Sequence, residues 1–208
     1  MQFEQGHLYH VYNQGNNRQR IFFSRENYLF FLTKIRTCIL PHADIIAWCL
    51  MPNHFHLMIY VHSVEVVQFI SGSATLSRTP TKSSTQPTVS LNKSIGIMLA
   101  SYTRAINIQQ NSTGSLFREK TKAECLTLFN GLTPSYFNTA FGAQINVRIT
   151  EREYPQACFN YIHQNPVTAK LVKKPEDWEF SSYTDYFGDR NGKLVNRDRA
   201  GEFFVFTG

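Results

Sequence analysis

The sequence predicts an α+β fold of the ferredoxin-like kind, an antiparallel sheet with helices packed on one face, rather than a doubly wound sheet. Three observations support this class. Short strand-like runs are interleaved with two amphipathic helical patterns. Only three residues separate the two middle runs, as in a β-hairpin. Of the 208 residues, 42% are hydrophobic and 14% aromatic, which is enough apolar material for a packed core.

The first strand and the first helix are predicted within residues 8–41. Leu8 to Tyr12 is an aromatic and β-branched run that ends in a polar turn cluster at residues 13–17. Ser24 is a candidate N-cap, and Pro41 ends the helical pattern that follows. That pattern consists of apolar residues at helical spacing, namely Tyr28, Phe31, Leu32, Ile35 and Ile39.

Two further strands are predicted at residues 44–50 and 54–61. The second alternates strongly, so its successive side chains lie on opposite faces of the sheet. One face is apolar and carries Phe55, Leu57, Ile59 and Val61. The other face carries two imidazoles, from His54 and His56, followed by Met58 and Tyr60.

A polar stretch separates this hairpin from the second helix. Between residues 71 and 90, eleven of twenty residues are Ser or Thr, which predicts a mobile loop. Helical spacing returns at residues 91–110, with Ser90 as a candidate N-cap and Tyr102 on the apolar stripe. A short strand is predicted near residues 117–126.

The remaining chain is predicted less fully. Residues 127–150 have weak periodicity and stay unassigned, and a helix is expected at 151–163, ended by Asn165 and Pro166. We expect Asn165, Pro166 and Trp178 to hold the C-terminal part against the sheet. The predicted organisation is a core at 1–126, an unassigned insertion at 127–150, and a C-terminal helix and tail at 151–208.

The charge is modest and unevenly distributed. The net charge is +6, and residues 1–126 hold 12 basic and 6 acidic side chains against 9 and 9 beyond them. This excess suits a polyanionic partner such as nucleic acid, although many proteins with such a charge bind nothing charged. The four cysteines form no C-x-x-C pair, and no apolar run is long enough for a membrane span. We therefore expect a soluble, cytoplasmic protein with no membrane partner.

His54 and His56 are the strongest candidates for chemistry. Residues two apart in a strand lie about 6.6 Å apart on one face, so both rings can approach one metal ion. The alternative is that the two rings merely line a solvated sheet face. Tyr102 likewise has two interpretations, because an aromatic residue on an apolar helical stripe usually packs in the core.

Five blocks of the sequence resemble one known family. They are Gly6–Asn13, Met51–Met58, Ser101–Asn107, Gly114–Arg118, and Tyr161–Val167 followed by Trp178–Tyr183. In this order they resemble the single-tyrosine HUH transposases, named for a His-hydrophobic-His pair. Within that family they look most like the branch associated with repetitive extragenic palindromes (REP) in bacteria. The resemblance covers residues 1–62, 91–126 and 151–190.

The resemblance implies roles for individual residues. His54 and His56 would hold a divalent ion, Mg²⁺ or Mn²⁺, and Tyr102 would be the nucleophile. A third, amide-type ligand is expected one turn after the tyrosine, where this chain has Ile106, which cannot bind a metal. Asn107 is the nearest amide and is predicted as that ligand. Residues 71–90 and 127–150 look like insertions relative to the family.

The resemblance also implies an activity. It is metal-dependent nicking and strand transfer of single-stranded or hairpin DNA through a 5′-phosphotyrosine intermediate. Basic residues near the tyrosine in sequence are candidate phosphate contacts, namely Arg104, Arg118, Lys120 and Lys122. The alternative is a domesticated hairpin-binding protein without transfer activity. A small-molecule metalloenzyme has less support, because no local carboxylate accompanies the histidines. Whether the chain acts as a monomer or a homodimer stays open.

Overall fold

The computed structural model describes residues 1–67, 87–127 and 153–206, together with the backbone of 136–139 and 142–145. In chain order the elements are β1 (Leu8–Gln14), α1 (Arg25–Cys38), β2 (Ala43–Met51), β3 (His54–Val61), β4 (Glu65–Val67), β5 (Thr88–Ser90), α2 (Leu91–Gln109), β6 (Lys122–Cys125), β7 (Tyr136–Thr139), β8 (Gly142–Ile145), α3 (Tyr154–Thr168), α4 (Tyr183–Phe187) and α5 (Arg197–Gly201).

The central sheet has four antiparallel strands in the order β2-β3-β1-β6. The strands of this sheet and the helices α1 and α2 follow one another in the chain as β1-α1-β2-β3-α2-β6, with the separate β4-β5 pair between β3 and α2. This β-α-β-β-α-β order is the ferredoxin-like arrangement. The predicted fold class is therefore confirmed. In the register, Gln14 lies opposite His54 and Tyr12 lies opposite His56. This pairing brings the side chains of β1 next to the two histidines.

The two predicted helix caps are present. The Ser24 N–H at the start of α1 donates to Asn27 Oδ1 at 3.1 Å, and Ser90 Oγ accepts from the Lys93 N–H at 3.3 Å. Both helices pack on the apolar face of the sheet, where the rings of Phe31 and Phe55 lie 5.1 Å apart. The large core on this side explains why the helices form as the apolar periodicity predicted.

The C-terminal part packs on the other face of the sheet and along its β2 edge. Tyr161 on α3 contacts His56, which alternates with Phe55 and therefore faces the opposite way. The Leu50 N–H donates to Phe180 O at 2.9 Å, so backbone pairing covers the free edge of β2. Trp178 Nε1 donates to Leu50 O at 3.1 Å, which is the packing role expected of it.

Two local expectations differ from the structure. Helix α3 (Tyr154–Thr168) continues through Asn165 and Pro166 instead of stopping at 163, because the proline φ is compatible with a helix and buried packing offsets the missing backbone hydrogen bond. The end of the predicted loop at 71–90 is strand β5, in which β-branched Thr88 and Val89 pair with β4. The loop at residues 71–86 lies outside the described residues.

Residues 127–150 contain strands β7 and β8, whose backbones pair antiparallel. The other residues from 128 to 150 lie outside the described part. All four cysteines are free thiols. Within the described residues, no helix combines the length and the apolar character that a membrane span needs.

Candidate active site

His54 and His56 lie side by side on β3 with their rings nearly perpendicular. The ring centroids are 5.0 Å apart and the planes meet at 85°. Both side chains are largely buried, with exposures of 9% and 3%. Helix α3 covers both side chains. The alternative interpretation, in which the two rings merely line a solvated face of the sheet, therefore does not apply at these positions.

Hydrogen bonds fix the proton of His54 on Nδ1. That nitrogen lies 2.6 Å from Asn53 Oδ1, and the Asn53 amide is oriented by its own donation to Arg18 O at 3.3 Å. An amide oxygen only accepts, so His54 Nδ1 donates and Nε2 keeps its lone pair. Burial lowers the pKa of His54 to about 4, although the hydrogen bond that a protonated ring would donate from Nε2 to Asn165 Oδ1 acts in the opposite direction. Burial and the neighbouring histidines also hold the pKa of His56 well below its usual value.

The side-chain amide of Asn165 lies between the two Nε2 atoms. Its Nδ2 is 3.3 Å from His56 Nε2, and its Oδ1 is 3.3 Å from His54 Nε2. Because the proton of His54 is on Nδ1, the contact between His54 Nε2 and Asn165 Oδ1 joins two atoms that each offer a lone pair. The two Nε2 atoms and the Asn165 amide therefore lie together on the histidine face of the sheet, and the amide oxygen is the atom that could serve as a third ligand beside the two imidazoles.

The protein side chain placed to give a third donor here is the Asn165 amide. Within the described residues, no three His, Cys, Asp or Glu side chains form a group that could hold a metal ion. Asn165 Oδ1 supplies a hard oxygen ligand, which oxygen-preferring ions such as Mg²⁺ and Mn²⁺ favour over nitrogen. The donor set therefore fits a divalent ion without a carboxylate.

Tyr161 lies one helical turn before Asn165, so both side chains project from the same face of α3. Its ring packs edge-on against His56, with centroids 5.3 Å apart. The residue is half-buried, so solvent still reaches part of it. Burial raises the pKa of Tyr161 to about 12, while hydrogen bonding to the Asn165 side chain opposes that shift. The phenol is therefore protonated at neutral pH.

The structure does not bring Tyr102 to the histidines. Tyr102 is fully buried on the opposite face of the sheet, where its hydroxyl donates to Ile21 O at 2.8 Å. Its ring lies 4.9 Å from that of Phe31 and 5.6 Å from that of Phe22. Burial also raises its pKa well above the usual value. Tyr102 therefore packs in the core, as the alternative interpretation stated. It does not lie beside the histidines, where the predicted nucleophile would have to be.

Asn107 is also remote from the histidines. Its Nδ2 donates to Gly114 O at 2.9 Å, and its Oδ1 accepts from Ser112 Oγ at 3.2 Å. Both polar atoms of the amide are thus used to hold the loop after α2. The predicted ligand role is not supported, because Asn165 from α3 reaches the position that Asn107 would have needed to reach.

Three of the four predicted phosphate-contacting residues line one cleft. This cleft, which we name the α2 cleft, lies between α2 and residues 111–121, has a volume of about 1350 Å³, and includes Arg104, Arg118 and Lys120. All three are exposed. The fourth, Lys122, lies on the histidine face with its Nζ 5.8 Å from the Tyr12 ring centre.

The α2 cleft and the histidines meet at the same end of the sheet. The Arg118 N–H donates to Gln14 O at 2.8 Å, and Gln14 is paired with His54. Asn13 Nδ2 donates to Arg118 O at 3.1 Å and to Thr121 Oγ1 at 2.9 Å, which fixes the loop to the end of β1. The basic residues therefore border the end of the strands at which β3 begins.

Comparison with known proteins gives one fold relationship. No family profile and no curated protein matches the chain. The chain is similar to a solved structure of a REP-associated tyrosine transposase bound to a REP hairpin, with a TM-score of 0.55 and 15% sequence identity. The match covers 100% of this chain and 93% of that one. At this level of identity, the likeness shows a shared fold.

Sequence reasoning missed Tyr161 and Asn165 as site residues. The available signal was their spacing, since residues four apart on a helix share one face and both lie within the Tyr161–Val167 block. The spacing itself could not show which face of the sheet α3 covers. Residues 127–150, which precede the helix, left its position open.

Proposed function

We propose that this chain is a metal-dependent enzyme that nicks single-stranded DNA and transfers the strand, with Tyr161 as its nucleophile. The observation that carries the proposal is the convergence of Tyr161, Asn165, His54 and His56 on one face of the sheet. The shared fold with a tyrosine transposase and the sequence blocks that resemble that family support it.

The donor atoms support a divalent metal ion at this site. His54 Nε2, His56 Nε2 and Asn165 Oδ1 would hold the ion, and it would supply Lewis-acid polarisation of the scissile phosphate. His54 Nε2 and Asn165 Oδ1 lie 3.3 Å apart, and with the His54 proton on Nδ1 both atoms offer a lone pair to such an ion. The amide oxygen adds a preference for Mg²⁺ or Mn²⁺ that the two imidazoles lack.

The proposed step is a transesterification. Tyr161 Oη attacks the phosphorus, an Oη–P bond forms, and the bond from phosphorus to the 3′ oxygen breaks. The phenol loses its proton as the new bond forms, and the departing 3′ oxygen takes up one proton. A second 3′-hydroxyl can reverse this exchange, so rejoining strands needs no external energy source. Asn165, one turn after Tyr161 on the same face of α3, would orient the phenol beside the histidines.

The α2 cleft supports a DNA substrate. Arg104, Arg118 and Lys120 supply positive charge along it, and Glu119 is the one acidic side chain among the described residues that line it. Because Arg118 is fixed to Gln14, which pairs with His54, a strand held in the cleft leads toward the histidine end of the sheet. The scissile segment must be single-stranded, since a tyrosine on a helix does not readily reach a phosphate within a regular duplex.

The test compares two Tyr-to-Phe variants. The full chain is incubated with Mn²⁺ and labelled oligonucleotides that carry a hairpin with single-stranded flanks, and covalent protein–DNA adducts are separated on denaturing gels. We expect an adduct with the wild type and with Tyr102→Phe, and none with Tyr161→Phe. An adduct that persists in Tyr161→Phe but disappears in folded Tyr102→Phe would contradict the assignment.

The same experiment addresses the alternative of a hairpin-binding protein without transfer activity. That alternative depends on Ile106, which cannot bind a metal, and Asn165 offers the amide that Ile106 lacks. Hairpin binding with no adduct in any variant, at any concentration of Mn²⁺ or Mg²⁺, would favour the binding protein over the enzyme.

A further inference from the structure

His10 on β1 is a third buried imidazole beside the two proposed metal ligands. Its Nε2 lies 2.9 Å from Nδ1 of His56, and the two rings are stacked with centroids 5.0 Å apart. His10 is 3% exposed. In the paired strands, Tyr12 lies opposite His56, so His10 is its diagonal neighbour on the same face.

The direction of the bond between the two rings decides whether His56 can bind a metal. A neutral imidazole has one donor nitrogen and one acceptor nitrogen. Ligation through Nε2 requires that the His56 proton lie on Nδ1, and that proton points at His10 Nε2. In the reverse arrangement, His10 donates, the His56 proton moves to Nε2, and the metal no longer has a lone pair to bind.

Asn165 supports the first arrangement. Its Nδ2 lies 3.3 Å from His56 Nε2, and an amide N–H donates to a nitrogen that has a free lone pair. His56 Nδ1 then donates to His10 Nε2, and the proton of His10 lies on its own Nδ1. That Nδ1 is buried and has no hydrogen-bond partner among the described residues, so no neighbour there assigns its proton, and the Asn165 contact decides between the two arrangements.

We propose that His10 is a positioning residue that accepts the His56 Nδ1 proton and thereby keeps His56 Nε2 available for the metal. This inference rests on the proposed function. His54 has the corresponding acceptor in Asn53 Oδ1, an amide oxygen. Acceptors behind metal-binding histidines are usually carboxylates, backbone carbonyls or water. Here an imidazole takes that role, and it does so without adding a charge.

The test measures Mn²⁺ affinity of the full chain by calorimetry, without DNA. His10→Phe keeps an aromatic ring but removes the acceptor, and we expect affinity to fall by about 10- to 100-fold. His10→Gln places an amide oxygen near the former Nε2 position, and we expect it to restore affinity to near that of the wild type. His42→Phe is the matched control, because His42 is a buried imidazole bonded to Ser94 Oγ at 2.9 Å.

The outcomes separate this inference from the proposed function. If His56→Ala abolishes Mn²⁺ binding while His10→Phe binds like the wild type, the role of His10 is overturned and the metal site stands. If His56→Ala leaves Mn²⁺ binding unchanged, the metal site itself fails and the inference fails with it.

A measurement on the wild type covers the case in which His10→Phe does not fold. In the Mg²⁺-saturated, ¹⁵N-histidine-labelled chain, nitrogen chemical shifts report which ring nitrogen of His56 carries the proton. We expect the proton on Nδ1 and a cross-hydrogen-bond coupling from it to His10 Nε2. A proton on His56 Nε2 would overturn the inference.

Discussion

Tyr161 lies edge-on to His56, with ring planes at 80°, on the face of the sheet opposite Tyr102. The two tyrosines differ in what surrounds their hydroxyl groups. Tyr161 is half-buried beside imidazoles and an amide, whereas Tyr102 is bonded to a backbone carbonyl within an aromatic core. The substitutions Tyr102→Phe and Tyr161→Phe are therefore expected to have different consequences.

Tyr102→Phe is expected to reduce stability and to leave chemistry intact. The exchange removes the hydroxyl that donates to the buried Ile21 carbonyl, which should lower the free energy of unfolding by about 1–2 kcal/mol. Urea unfolding monitored by circular dichroism measures this change. Tyr161→Phe is the comparison, with a smaller decrease because that residue is half-buried. Equal stability of Tyr102→Phe and the wild type would contradict the structural role.

Substitutions of Asn165 are expected to separate oxygen ligation from simple packing. Asn165→Ala removes the third donor and should weaken Mn²⁺ binding, whereas Asn165→Asp provides a charged oxygen of the same size and should strengthen it. Calorimetric titration with Mn²⁺ gives both affinities. If the Ala and Asp variants bind Mn²⁺ equally well, then residue 165 is not a ligand.

Acid is expected to destabilise the fold through its buried histidines. Burial lowers the pKa of a set of imidazoles, namely those of His10, His42, His54, His56 and His163. Unfolded histidine titrates near pH 6.5, so below that pH the unfolded chain binds protons that the folded chain does not. The free energy of unfolding should therefore fall as the pH is lowered from 7 to 4.5.

One histidine away from the site allows this pH effect to be assigned. His42→Gln removes a single buried imidazole, so the decrease in stability between pH 7 and pH 4.5 should be smaller than in the wild type. His62→Gln, at an exposed position, should change that decrease much less, because its charge contributes only the smallest of the causes that lower the pKa of His42. Urea unfolding at both pH values supplies the comparison. An identical decrease in His42→Gln and the wild type would argue against a buried neutral His42.

Charge removal in the α2 cleft is expected to weaken DNA binding without affecting the metal site. Arg118→Ala combined with Lys120→Ala should lower affinity for a hairpin with single-stranded flanks. The slope of log affinity against log salt should decrease by about 0.7 for each phosphate that the protein no longer neutralises. Fluorescence anisotropy over a range of salt concentrations measures both effects. Mn²⁺ affinity should stay that of the wild type.

Arg36→Ala is the control for this prediction. Arg36 is exposed in the last turn of α1 and does not line the cleft. Its removal lowers the net charge without touching the proposed DNA path, so the salt slope should stay close to that of the wild type. An equal decrease for each charge removed in the two proteins would mean that binding depends on overall charge alone.

The sequence alone determined the four strands of the central sheet, the helices α1 and α2 and most of α3, and the pair of histidines. These are local features, because alternation in β3, apolar spacing in α1 and α2, and the caps at Ser24 and Ser90 depend on residues close in the chain. The same alternation put His54 and His56 on one face. The resemblance of five sequence blocks supplied the expectation of a tyrosine, a metal and DNA.

Only the tertiary structure decided which tyrosine and which amide meet those histidines. Tyr102 and Tyr161 both lie on helices, and nothing in their local spacing states which face of the sheet each helix covers. That choice depends on contacts between residues about a hundred positions apart, such as those of His54 and His56 with Asn165. The physical reason is that helix periodicity fixes which side chains share a stripe, while packing between distant elements fixes what that stripe meets.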